Sequence, residues 1–264
     1  MPQMTTEPVP PAFPRFQSTV PHYVAGRPNY APALIRTVAD HLHLSNDHRL
    51  MDLGCGPGWL GIAFAPFVGQ VIGIDPEPAM LEVARTIAAA SSVAIELVEG
   101  SSYSLGLHLG TFRAVTIGRA FHWMDRTDTL RKLDDLIEQD GAVILFNDVR
   151  PDVPQNAWYK SYTEVVDRFT NRSVGFAPER LRHETVLLAS RFDQLTRLGV
   201  IEQKSVPVDR LIDRALSMST SSPEQLGELS GQLAQQMTAE MLPFASNGNV
   251  VEVIESQALI ARRR

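Results

Sequence analysis

Residues 50–61 read L-M-D-L-G-C-G-P-G-W-L-G. The apolar residues Leu50, Met51 and Leu53 predict a short buried strand, and Gly54, Gly56 and Gly58 predict a tight turn directly after it. A helical pattern starts at once with Trp59, Leu60, Ile62, Ala63 and Phe64. Strand, glycine turn and helix open a nucleotide-binding βαβ unit, in which a Cβ on the turn would hold the backbone away from a ligand lying across it.

Spacing separates the folds that share such a turn. The dinucleotide fingerprint G-x-G-x-x-G would put its third glycine at position 59, which is Trp59. No Gly-Lys-Ser/Thr ending follows, so a phosphate-gripping P-loop is excluded as well. A second strand, Q-V-I-G-I at 70–74, ends in Asp75, and an acid at that tip can accept both hydroxyls of a ribose.

D-L-G-C-G-P-G followed by I-D-P-x-x-x-M-L resembles motifs I and II of the class I S-adenosylmethionine (SAM) dependent methyltransferases, and further landmarks extend the resemblance over roughly residues 23–263. It implies a Rossmann-like methyltransferase fold of class α/β: a mostly parallel seven-stranded sheet, helices on both faces and a small helical insertion or lid. SAM is the implied cofactor and S-adenosylhomocysteine (SAH) the product. By the same resemblance Tyr23 and Arg27, in Y-V-A-G-R-P-N-Y, face the SAM carboxylate or the acceptor. A guanidinium suits either role, because it grips a carboxylate with two parallel hydrogen bonds; pairing with a surface acid is the alternative. Asp52 would position the glycine turn or the SAM amine, Asp75 would hold the ribose, and Met80 would lie beside the adenine. Ser101 stands where relatives have an acid for the adenine amino group. Pro76, Ser102 and Arg119 complete the expected cofactor-binding set.

Alternating strand and helix patterns continue through a third strand at 93–98, a fourth at 112–117 and a fifth at 142–146, with Gly141 expected to stop the intervening helix. The expected organisation is a flexible tail over 1–20, a SAM-binding core over 21–150, a helical lid over 151–192, and a part at 193–264 that completes the sheet. The lid segment carries Trp158, Tyr159, Tyr162 and Phe169 and would cover the carboxyl ends of the strands, where open α/β sheets bind ligands.

His122, just past the fourth strand in G-R-A-F-H-W-M-D, is the candidate base, since imidazole titrates near neutrality. Asp125 would orient it or bind a cationic acceptor; helix capping or lining the cofactor pocket is the other reading of His122. No metal-ligand spacing is present, and methyl transfer from a sulfonium requires no metal.

Composition narrows the partners. A net charge of −6 disfavours a nucleic-acid partner. The single cysteine, Cys55, fits a reducing compartment, and no apolar run reaches a membrane span, so a cytoplasmic protein is expected. The expected function is methylation of an oxygen or nitrogen of a polar small-molecule metabolite or natural product. A methyltransferase for protein or RNA, a non-catalytic SAM-binding regulator, and an NAD-dependent oxidoreductase are the competing readings. The sequence leaves oligomeric state open.

Overall fold

The computed structural model describes residues 19–170 and 182–264; most of the expected tail and residues 171–181 of the expected lid lie outside them. Strands β1 (Arg49–Leu53), β2 (Gln70–Asp75), β3 (Glu96–Glu99), β4 (Phe112–Gly118) and β5 (Ile137–Val149) pair in parallel. Strand β7 (Asn249–Arg262) is antiparallel to both β5 and β6 (Gln194–Pro207). The sheet order is β3-β2-β1-β4-β5-β7-β6, the mostly parallel seven-stranded sheet anticipated from the sequence.

The continuous apolar strands feed two cores at once, because successive side chains point to opposite faces. Leu50, Ile144 and Phe146 enter one core with α2 (Pro32–His41) and α3 (Trp59–Phe64). Met51, Val143 and Leu145 enter the other with α5 (Arg126–Leu136) and α7 (His183–Leu188). Helix α4 (Pro78–Ala90) runs between β2 and β3, its N-terminus capped by the Glu77 side chain.

Gly141 does not end a helix, contrary to the sequence expectation. α5 stops at Leu136 and β5 starts at Ile137, so Gly141 lies inside the strand. A Cβ there would sit 2.6 Å from Ile137 Cγ2 and 2.8 Å from the Arg113 carbonyl oxygen, beside a register shift between Phe112 and Ala114. Glycine is needed for that close approach of two strands.

A third core lies beyond the carboxyl ends of the parallel strands. Helices α6 (Trp158–Phe169), α8 (Val208–Leu216), α9 (Pro223–Leu226) and α10 (Leu229–Met241) bring together Trp158, Val165, Leu211, Leu233 and Met237. The helical layer therefore draws on the chain between β6 and β7 as well as on the segment after β5. Helix α1 (Val20–Gly26) docks on α8, with His22 Nδ1 2.8 Å from Asp213 Oδ1.

β7 extends past the end of β5, and side chains satisfy the backbone it would otherwise leave unpaired there. Asn156 donates to the Val253 carbonyl and accepts from the Val253 amide (2.8 and 2.9 Å), and Trp158 Nε1 donates to the Val251 carbonyl (2.8 Å). Glu252, between them, is carried buried into the space under the helices. Among the described residues no helix is long and apolar enough to cross a membrane.

Candidate active site

The glycine turn is built as the sequence dictates. Gly54, Gly56 and Gly58 have φ of +70°, +53° and +79°, in the left-handed region where a side chain is strained. The amides of Gly54 and Cys55 both donate to the Ile74 carbonyl, tying the turn to the end of β2 (2.8 and 3.0 Å). A Cβ on Gly56 would meet nothing within 4 Å; that position faces open cavity.

Two aspartates secure the turn from behind. Asp52 is buried; its Oδ2 accepts from the Gly61 amide and its Oδ1 from the Thr116 hydroxyl, both at 2.9 Å. Burial pushes its pKa up to about 7 against those two bonds. Asp75 accepts from the Gly56 amide (2.8 Å) and the Glu77 amide (2.9 Å), and burial raises it to about 6. Asp75 lines the cavity, whereas Asp52 does not.

That cavity measures about 1160 Å³ and runs from the turn to the helical layer. Along its near part lie Pro76, Met80, Ser101 and Ser102, with Ser101 Oγ also accepting from the Tyr103 amide (3.3 Å). Tyr23 stacks on Trp59 at 5.6 Å between ring centroids, and Arg27 Cζ stands 5.4 Å from the Tyr23 ring. Arg27 Nε donates to Ser217 Oγ (2.8 Å) at the end of α8.

Arg119 has a φ of +54°, uncommon for a residue with a side chain. Its amide donates to the Phe146 carbonyl, and its Nη1 to Pro28 O (3.1 Å) and Asp148 Oδ2 (2.9 Å). Its guanidinium lies over Tyr30, 4.6 Å from the ring centroid, and its buried Nε has no hydrogen-bond partner among the described residues. Arg119 thus links the end of β4 to the end of β5 while facing the cavity.

Of the fourteen site residues singled out from the sequence, eleven line this one cavity, including His122, which is tilted against Trp123 at 5.0 Å. The other three are Asp52, Gly58 and Asp125. Gly58 starts α3 and lies against α4, where a Cβ would come within 3.2 Å of Ala84 Cβ. Asp125 is the N-cap of α5, its Oδ1 accepting from the Asp128 amide (3.0 Å), so its carboxylate serves the helix end.

Sequence reasoning reached the far half of the cavity only through Tyr159, Tyr162 and Phe169 of the expected lid, which line it; it missed the histidine and the arginines there. His183 lines it, edge-on to Phe121 at 5.2 Å, with a buried Nδ1 that has no hydrogen-bond partner among the described residues. Burial lowers its pKa, with Arg126 acting in the same direction. Arg150 and Arg214 also line it. They come from β5's end and from α8, which no local motif connects; only Arg150, one residue past a strand end, stood where a signal could have been sought. Among the described residues no group of three or more His, Cys, Asp or Glu could hold a metal ion.

Comparison with known proteins agrees with this geometry. Residues 50–141 match the model of a methyltransferase domain family. An uncharacterized methyltransferase of Mycobacterium tuberculosis, Rv3342, is 29% identical over 236 residues, 89% of each chain. The uncharacterized methyltransferase YcgJ of Bacillus subtilis is 30% identical over 127 residues, 47% of this chain and 46% of its own. A SAM-dependent methyltransferase from Thiobacillus denitrificans, solved with S-adenosyl-L-homocysteine, superposes with a TM-score of 0.54, 19% identity and coverage of 92% of this chain and 96% of its own.

Proposed function

We infer that this chain, which belongs to the class I SAM-dependent methyltransferases, methylates an oxygen or nitrogen of a small polar metabolite or natural product. The observation that carries the acceptor class is the cavity: at about 1160 Å³ it exceeds the roughly 300–1,000 Å³ of a site for one drug-sized ligand. Side chains from α6, α8 and α9 line its second half, a helical wall that favours a small acceptor over a large partner. With a net charge of −6, the chain also lacks the basic surplus that nucleic-acid binding favours. The lone Cys55 fits the reducing conditions of a cytoplasm.

The residues present fit SAM. Gly54 and Gly56 line the cavity, with open space at the position a Gly56 Cβ would take, and Asp75 at the tip of β2 would accept from the ribose hydroxyls. Met80 would pack on the adenine, Ser101 and Ser102 would meet its polar edge, and Tyr23 and Arg27 would close over the methionine end. When bound, SAM supplies a methyl group already activated on a sulfonium.

The protein's part is then orientation, exclusion of water and removal of one proton. Helix α1 and helices α6, α8 and α9 contribute to the cavity wall and would restrict solvent access to a bound ligand. His122 would take the acceptor's proton, and His183, kept neutral by burial, is a second imidazole on the same cavity. Asp125, spent on capping α5, takes no part in this scheme.

The test is incubation with methyl-labelled SAM and a cell extract split into small-molecule, RNA and protein fractions. Label appearing with SAH release in the small-molecule fraction is the expected result. Label in RNA or protein would overturn the acceptor class, and tight SAH binding without turnover in any fraction would make the chain a SAM-binding regulator.

A further inference from the structure

The far half of the cavity carries more positive charge than its carboxylates balance. Arg150 Nε and Arg214 Nη1 both donate to one oxygen of the buried Glu252, at 2.7 and 2.6 Å, and Arg214 Nη2 reaches the other at 3.2 Å. Arg214 Nε is also used, on the Gly26 carbonyl at 3.2 Å. Every nitrogen of Arg214 is therefore engaged, and two guanidiniums share a single carboxylate. Burial raises the Glu252 pKa, yet Arg214 and Arg150 outweigh it and hold the group below its ordinary value, so it stays ionised.

Arg150 is only partly engaged. Its Nε is bonded and its guanidinium lies 5.2 Å from the Tyr159 ring, while its two outer nitrogens have no partner among the described residues. Arg27 has no carboxylate partner among them either, and its one side-chain hydrogen bond among the described residues is to Ser217. Burial lowers the Arg27 pKa, with Arg119 and Arg214 adding to that effect, the mark of a cation in need of an anion. Arg119 is matched by Asp148. Four guanidiniums thus face two buried carboxylates. Asp75 and Glu77 lie at the glycine-turn end, and Glu224 is exposed on the rim at the first turn of α9.

Resting on the methyltransferase reading, in which Arg27 serves the methionine end of SAM, we propose that the methyl acceptor is a small anion whose carboxylate or phosphate docks on the outer nitrogens of Arg150. SAM does not remove the surplus: its carboxylate is matched by its own ammonium, and its sulfonium adds a positive charge. A purely structural Arg–Glu–Arg triad would engage all of its donors, as Arg214 does, whereas Arg150 lines the cavity with its two outer nitrogens unpartnered among the described residues. A planar fork beside aromatic rings suits a carboxylate or phosphate. Tyr162, whose phenol burial pushes up to about 12, remains a hydrogen-bond donor for the same anion.

The experiment is calorimetric titration of SAH-saturated protein, in a zwitterionic buffer, with malonate, with inorganic phosphate and with neutral malonamide. Saturable binding of malonate, of phosphate or of both, with none of malonamide, is expected; the two anion arms separate a carboxylate site from a phosphate site. Arg150→Gln should weaken the anion about tenfold or more while SAH affinity stays within about twofold. Arg150→Lys, which keeps the charge and loses the fork, should fall between. Equal binding of malonamide, no anion binding at all, or anion binding unchanged in Arg150→Gln would overturn the proposal, and the first two need no variant to fold. Failure of wild-type protein to bind SAH would sink the methyltransferase reading itself, a distinct result.

Discussion

Gly26→Ala tests whether the docking of α1 on α8 closes the site. An alanine Cβ at residue 26 would stand 2.1 Å from the Arg214 amide nitrogen, 2.4 Å from the Asp213 carbonyl carbon and 2.6 Å from Arg214 Cα, where ordinary contact begins at 3.4 Å. All three atoms are backbone within a helix, so α1 must retreat by on the order of 1 Å, and overpacking of this kind costs about 1–3 kcal/mol. Retreat also breaks the Arg214 Nε bond to Gly26 O (3.2 Å) and the Arg27 Nε bond to Ser217 (2.8 Å), each worth about 1 kcal/mol. The sum is about 3–5 kcal/mol, an upper range because a seven-residue helix can lift off as a unit. Since α1 and the residue after it carry Tyr23 and Arg27 to the cavity, SAH affinity should fall about tenfold. Tm should drop by about 5–10 °C. Calorimetry with SAH and a thermal melt read both effects. Gly231→Ala, in the first turn of α10 with nothing within 4 Å of the added carbon, is the control and should be neutral or stabilising by up to about 0.5–1 kcal/mol. A Gly26→Ala protein with unchanged Tm and SAH affinity within about twofold of wild type would refute the idea.

Asp75→Ala should weaken SAH binding by about 1–3 kcal/mol, through lost ribose acceptors and a loosened Gly56 amide; unchanged calorimetric affinity would remove the ribose assignment. His122→Ala should slow turnover with SAM affinity nearly intact, and a matching loss in His183→Ala instead would transfer the proton-accepting role to His183. Asp52 and Asp75, with folded pKa values of about 7 and about 6, both lie above the ordinary 3.8, so the native state holds more protons than the unfolded chain between those limits. Stability of the ligand-free protein is therefore complete below pH 4 as far as these two groups are concerned, and falls by a few kcal/mol as pH rises through 6 to 7. SAH affinity should move the opposite way, rising as Asp75 ionises near pH 6. Parallel trends in the melt and the titration would contradict the two assignments.

The half of the site that binds the expected nucleotide was legible because its signals are local. A glycine with positive φ, an acid at a strand tip and a methionine in the next helix all lie within one βαβ unit, and their spacing reports their geometry. Asp125 shows the limit of such reading: position after a strand end suggested chemistry, but a residue just before a helix is equally suited to capping it, and the amide of Asp128 claims it. Gly141 shows another, since a glycine after a helical pattern can signal a stop or a close strand contact, and only the neighbouring Arg113 carbonyl distinguishes them.

The sequence by itself determined the alternating strands and helices and the glycine turn, because hydrophobic periodicity and backbone-conformation limits act over a few residues, and it indicated the cofactor class through the resemblance of its motifs. Tertiary structure alone decided the lining of the cavity's far half. Arg27, Arg150, Arg214 and Glu252 are separated by up to hundreds of positions and meet only because α1 docks on α8 and β7 outruns β5. Charge balance in a cavity is a property of three-dimensional neighbours, and no one-dimensional pattern encodes it.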